Sequence, residues 1–193
     1  MARTSSTMLD LGTQAPAFKL PDFDGKIHAL EDFEESPGLL VVFTCNHCPF
    51  VKHIRPEFAR YASEYLARGL AIVAINSNDL DAYPQDGPDA MRAEAREFDY
   101  QFPYLIDETQ LVARSYRAAC TPDFFLFDSG RRLVYRGQFD DSRPGSDKPV
   151  NGADLRAATD ALLSGEPMHG EQRPSLGCNI KWKEEIGPGG SAG

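Results

Sequence analysis

The stretch Leu39-Leu40-Val41-Val42-Phe43-Thr44-Cys45-Asn46-His47-Cys48-Pro49-Phe50-Val51 joins two patterns that belong to different elements. Leu39 to Phe43 is a continuous apolar run, too short for a helix and suited to a strand covered on both faces. From Pro49 onward, Phe50, Val51, Ile54, Phe58, Tyr61, Ala62, Tyr65 and Leu66 recur at helical spacing until Arg68-Gly69, where a glycine ends the helix. Proline favours the first helical position, so Pro49 predicts Cys48 as the N-cap; Pro56, inside the helix, predicts a kink. A Cys-x-x-Cys pair therefore sits where a buried strand hands the chain to a helix. At that place the unpaired backbone N–H groups and the helix dipole favour a thiolate, lowering a cysteine from about 8.5 toward roughly 3.5–7.5.

Outward from this point the elements alternate. Phe18 to Leu20 and Lys26 to Leu30, joined through Asp24-Gly25, read as an N-terminal hairpin. Leu70 to Ile75 reads as a second buried strand. After a polar loop, Pro88 to Phe98 reads as a helix with proline at its first position. Tyr104 to Ile106 fits a short edge strand and Gln110 to Tyr116 a short helix. Phe124 to Phe127 and Arg132 to Phe139 form an antiparallel hairpin about Asp128-Ser129-Gly130-Arg131, and Asn151 to Leu163 a last amphipathic helix ending at Gly165. The order predicts an α/β domain, a mixed sheet with helices on both faces, over residues 8–165. Residues 166–193, rich in Gly and Pro, read as a C-terminal tail ordered in part around 175–185, where Gly177 to Lys183 is more apolar than its flanks.

Composition excludes several classes. A chain of 193 residues, 41% of them hydrophobic, can bury one substantial core. Its formal charge of -9 and lack of clustered Lys and Arg argue against nucleic acid as a partner. No apolar run reaches the roughly 18–20 residues that span a bilayer, and Met1 to Leu11 lacks a signal-peptide core, so a cytoplasmic location and no membrane partner are expected. Four cysteines in a chain of this size, two of them close together, do not make a secreted-type disulfide framework and are more often redox-active or metal-binding. Asp79, Asp81, Asp86 and Asp89 lack the Gly and terminal Glu of a calcium loop and read as a solvated acidic loop. No cofactor is called for.

A strand, a Cys-x-x-Cys opening a helix, and a later Thr121-Pro122 leading into a hairpin resemble the thioredoxin superfamily. More narrowly, Thr44 to His53, Cys120 to Leu126 and Gly177 to Lys183 are similar to its peroxiredoxin-like (redoxin, AhpC/TSA-like) members. The resemblance implies a thioredoxin-like fold, a redox role for Cys45 and Cys48, and a cis Thr121-Pro122 bond whose Thr121 backbone meets a bound substrate strand. It also departs from both patterns: Val41 stands where peroxiredoxins have a proline, Thr44 where thioredoxin has tryptophan, and Leu39 where thioredoxin has a buried aspartate.

Three chemistries follow. In the first, a thiol-disulfide oxidoreductase, Cys45 and Cys48 exchange with a protein or small-molecule disulfide and a dithiol reductant restores them. His47 between them supplies a donor or positive charge that favours the reduced thiolate and raises the reduction potential above the thioredoxin value of about -270 mV. In the second, a thiol peroxidase, Cys48 attacks a peroxide and Cys45 resolves the sulfenic acid. The third is a copper- or zinc-binding protein using Cys45, Cys48 and a nearby histidine. As in thioredoxins, Cys45 would be the attacking thiol; the N-cap argument favours Cys48. Cys120 and Cys178 are candidate accessory thiols. Cys120 also fits a small buried hydrophobe, and Cys178 either folds back to exchange with the pair or docks the tail.

Overall fold

The structure, a computed structural model, describes residues 3–183. Its elements in chain order are β1 (Arg3–Ser5), β2 (Lys19–Pro21), β3 (Ile27–Ala29), β4 (Gly38–Phe43), α1 (Pro49–Ala67), β5 (Ala71–Asn76), α2 (Pro88–Glu97) and β6 (Tyr104–Ile106). There follow α3 (Leu111–Ser115), β7 (Cys120–Thr121), β8 (Asp123–Asp128), β9 (Leu133–Gly137), α4 (Ala153–Ser164) and β10 (Leu176–Asn179). The elements that the sequence predicts fall within one to three residues of their expected bounds, and β1, β7 and β10 are additional. Helix α1 continues unbroken through Pro56.

Five strands form the central sheet in the order β6-β5-β4-β8-β9. β4 runs parallel to β5, and β5 to β6, while β8 and β9 are antiparallel to their neighbours, which makes the sheet mixed. β4 is in the middle, and none of Leu39 to Phe43 is more than 2% exposed. The reason is the two-residue period of a strand. Leu40 and Val42 face one core with Ile72, Ala74, Phe124 and Leu126, under α1 and α4. Leu39, Val41 and Phe43 face the other core, with Val73, Ile75, Phe125 and Phe127, under α3 and the N-terminal segment. A strand covered twice has no polar face, hence its unbroken apolar run.

The N-terminal hairpin is a two-stranded sheet of its own, β2 with β3. Its turn places Gly25 at a φ of +85°, and the Asp22 side chain accepts the Asp24 and Lys26 N–H groups. A bridge from Asp22 to Leu105 ties it to the edge strand β6.

Within the tail, part of the stretch expected to be ordered, residues 176–179, forms a strand, β10. β10 pairs on one side with β1 and on the other with β7, giving a second sheet in the order β1-β10-β7. Residues 3–5 and 176–179 lie outside 8–165, and β10 is the middle strand of this sheet. Backbone pairing did this where side-chain periodicity gave no signal, because Gly177 lies so close to Thr121 that a Cβ there would stand 2.0 Å from its carbonyl oxygen. Farther along, Trp182 is 37% exposed, with the Arg114 guanidinium 4.9 Å over its ring. The part of the tail from 184 to 193 lies outside the described residues. No helix among the described residues is long and apolar enough to cross a membrane.

Phe58 of α1 is the hub of the first core, with its ring 5.8–6.1 Å from those of Tyr61, Phe102, Phe124 and Phe139. Phe58→Ala is expected to cost about 3–5 kcal/mol of unfolding free energy, read as a lower midpoint in urea at unchanged slope.

Candidate functional site

Cys48 is the N-cap of α1, with extended backbone angles and Pro49 at the first helical position, as the sequence predicts. Its sulfur makes no full capping hydrogen bond, yet it is surrounded. Cys178 Sγ lies 2.9 Å away, and the Thr121 carbonyl, an acceptor only, takes the Cys48 S–H at 3.1 Å. The Thr121 hydroxyl reaches Cys45 Sγ at 3.4 Å. Cys45, Cys48, Cys178 and Val51 form one buried cluster, and none of the four cysteines is in a disulfide.

The two thiols of the motif are driven apart. Cys48 is pulled down to about 5, first by the hydrogen bond from the Cys45 thiol, then by Cys178, the Val51 N–H and Thr121, against the opposing effect of burial. Cys45 is pushed well up, first by that same bond to Cys48, then by burial and by the charge of Asp86. The proton that leaves the pair leaves from Cys48, and Cys45 holds its own as long as Cys48 is charged.

The loop between the cysteines is held by two buried acids. Asp86, 0% exposed, accepts the Asn46 and His47 backbone N–H groups on Oδ1, at 2.9 and 3.0 Å, and the Asn78 amide and His47 Nδ1 on Oδ2, at 2.8 and 2.6 Å. With Nδ1 as donor, the His47 ring is fixed in orientation and stacks on Tyr83 at 5.5 Å. Glu94 accepts the Asn46 side-chain amide at 2.6 Å and pairs with Arg55 at 2.7 Å. Burial pushes the Glu94 carboxyl up, against the pull of Arg55. Asp86 therefore corrects the reading of this region as a solvated acidic loop: burial with four donors in place turns a surface-type residue into a structural anchor.

Asp86 also changes the role expected of His47. The imidazole comes with a carboxylate at 2.6 Å, and that charge disfavours a thiolate at Cys45. Any positive charge on the ring is offset at its source.

The Thr121–Pro122 bond is cis, and Thr121 touches both sulfurs of the motif. Its backbone, expected to receive a substrate strand, is paired instead with the chain's own β10, with Thr121 opposite Cys178 and Cys120 opposite Asn179. Cys178 contacts the pair through Cys48. Cys120 is fully buried, its S–H directed to the Pro122 carbonyl at 3.6 Å, and burial pushes its thiol far up. That is the environment of a packed hydrophobe rather than a reacting thiol.

Residues 11–136 match the family model described as the AhpC/TSA family. The chain belongs to that family. A hypothetical protein from Sinorhizobium meliloti 1021 is similar throughout, with 54% identity and a TM-score of 0.92 over 94% of this chain and 99% of that one. The thiol-disulfide oxidoreductase ResA of Bacillus thuringiensis subsp. konkukian is 24% identical over 131 residues, 68% of this chain and 71% of that protein. A thiol:disulfide interchange protein of the thioredoxin family from Chlorobium tepidum TLS shares the fold at a TM-score of 0.61 and 17% identity, over 79% of this chain and 97% of that one. This AhpC/TSA chain is thus a redoxin-like member of the thioredoxin superfamily with a thioredoxin-like fold.

Within the redoxin site a metal would find Cys45 Sγ, a His47 ring nitrogen and an Asp86 oxygen, all within 4.8 Å of one another. Cys48 is not in that set. Each Asp86 oxygen already accepts two hydrogen bonds, so ligation there would strip the loop of its anchor.

A single thiolate is expected to titrate near pH 5, visible as the rise in absorbance at 240 nm, and to move upward in Cys45→Ala, which loses the donor that lowers Cys48 most. Replacing Asp86 by asparagine removes the negative charge that disfavours the Cys45 thiolate, so in Asp86→Asn the second ionisation of the pair is expected at lower pH, read as an earlier second rise at 240 nm.

Proposed function

We propose that the chain is a thiol-disulfide oxidoreductase in which Cys48 attacks, Cys45 resolves, and His47 is held beside the pair by Asp86. The observation that carries this reading is the setting of Cys48 at the start of α1, with the Cys45 thiol donating to its sulfur, Cys178 Sγ at 2.9 Å and Thr121 against it, which draws its thiol down while the adjoining Cys45 is pushed well up. The Cys48 thiolate attacks one sulfur of a substrate disulfide, forming a mixed disulfide and expelling the other half as a thiolate. Bonding to the substrate consumes the Cys48 charge that raised Cys45. Cys45 then ionises and attacks Cys48 Sγ, which closes the Cys45–Cys48 bond and releases the second substrate thiol. Two electrons have moved from protein to substrate, and a dithiol reductant returns them. Thr121, in contact with both sulfurs, is the substrate-side support of this reading, and a reducing compartment such as the cytoplasm suits a pair that must be recycled.

A thiol peroxidase is the second reading, favoured by the depressed Cys48 thiol directly followed by Pro49 and flanked by thiols that could resolve a sulfenic acid. Stopped-flow consumption of hydrogen peroxide, measured beside insulin disulfide reduction, separates the two. Disulfide turnover is expected to fall at least a hundredfold in both Cys45→Ser and Cys48→Ser, with slow peroxide reaction throughout. Fast peroxide consumption that survives Cys45→Ser for a single turnover would favour the peroxidase instead, and inactivity in both assays would bring the metal-binding reading forward.

A further inference from the structure

β10 lies where an extended substrate would pair, and it carries a cysteine at the point of reaction. The pairing of Cys178 with Thr121 sets the strand antiparallel to the residue whose carbonyl and hydroxyl contact Cys48 and Cys45. The same pairing brings Cys178 Sγ to 2.9 Å from Cys48 Sγ. Backbone addition at a strand edge is a general way of presenting a peptide side chain to a site. Here the domain does it with its own residues, and Gly177 is what admits the strand, since any Cβ at that place would collide with the Thr121 carbonyl.

We propose that Cys178 is a third redox thiol, which takes over the Cys45–Cys48 disulfide as a Cys48–Cys178 bond. The inference rests on the redox reading of Cys45 and Cys48 given above. The step is an exchange with no net oxidation. Cys178 Sγ gives up its proton and attacks Cys48 Sγ; the Cys48–Cys178 bond forms, the Cys45–Cys48 bond breaks, and Cys45 leaves as a thiolate that takes a proton. Cys48 is the shared sulfur, so only the partner changes.

Location gives the exchange a use. Cys45 and Cys48 are 1% and 0% exposed. Cys178 is itself only 3% exposed, but it lines a groove with Arg3, Pro49, Phe50, Arg143, Pro144 and Leu176. A dithiol reductant entering that groove meets the Cys178 side of the Cys48–Cys178 bond and attacks Cys178 Sγ, releasing Cys48 as a thiolate; its second thiol then attacks its own bonded sulfur, closing the reductant's disulfide and releasing the Cys178 thiol for the next cycle. Substrate and reductant would then address the same electron pair from different sides.

The test is disulfide mapping by mass spectrometry after stoichiometric oxidation with glutathione disulfide and alkylation of the remaining thiols. In wild type, peptides carrying Cys45–Cys48 and Cys48–Cys178 are both expected. In Cys45→Ser, Cys48–Cys178 should become the main product, and in Gly177→Ala, which forces β10 away from Thr121, it should be lost while Cys45–Cys48 remains. Cys178 alkylated in every sample, or linked only to another copy of the chain, beside a normal Cys45–Cys48 bond would overturn the third thiol and leave the proposed function standing. No intramolecular disulfide in wild type would overturn both.

Discussion

A carboxylate with four hydrogen bonds and no solvent sets the geometry on which the chemistry depends. Asp86 fixes the Asn46 and His47 amides and the His47 ring, and through them the path of the chain between the two cysteines. A loop joining a strand to a helix has its backbone donors exposed to competition from water; here they are committed to one buried acceptor. Because the loop cannot relax, Cys45 and Cys48 keep the short separation at which one thiol stabilises the charge of the other. The β4–α1 junction supplies the helix N-terminus, and Asp86 keeps the loop from drifting off it.

That rigidity explains how two chemically identical side chains acquire opposite proton affinities. Cys48 stands at the helix start with donors around it, whereas Cys45 faces the Asp86 charge and donates its hydrogen to Cys48. The asymmetry is conditional: it lasts while Cys48 is a thiolate and lapses when that sulfur becomes bonded. Thr121 fits the same logic, because its hydroxyl serves one sulfur and its carbonyl the protonated form of the other. Cys120, one residue away, is raised by burial and by the charges of Asp123, Cys48 and Cys178, and stays a core residue.

Much of this was legible in the sequence, for identifiable reasons. The unbroken apolar run of β4, the helical spacing after Pro49 and the Asp24-Gly25 turn are local signals whose cause is also local, and the N-cap position of Cys48 follows from Pro49 alone. Asp86 was misread because its neighbours Asp79, Asp81 and Asp89 are ordinary surface acids, and the donors that bury it come from Asn46, His47 and Asn78. A pattern along the chain carries no mark of such convergence. The same holds for β10, where a four-residue strand with glycine in it has no periodicity to detect and exists through its pairing with Thr121 and with β1. The one faint signal was the apolar character of Gly177 to Lys183 against its flanks.

The second sheet ties residues that are far apart in time as well as in sequence. Cys48 and Cys178 are separated by 130 positions, and translation adds about 5–20 residues per second. For about 3–10 seconds, between the synthesis of Thr121 and that of Leu176, a growing chain therefore carries the β4–α1 junction with its cysteines already made, while the edge of β7 has no strand upon it. During that interval the thiol pair faces whatever extended peptide is nearest, and the emergence of Leu176 to Asn179 ends it. Biosynthesis thus has an early, open form of the site and a late, self-covered one, and the arrival of a single short strand converts the first into the second.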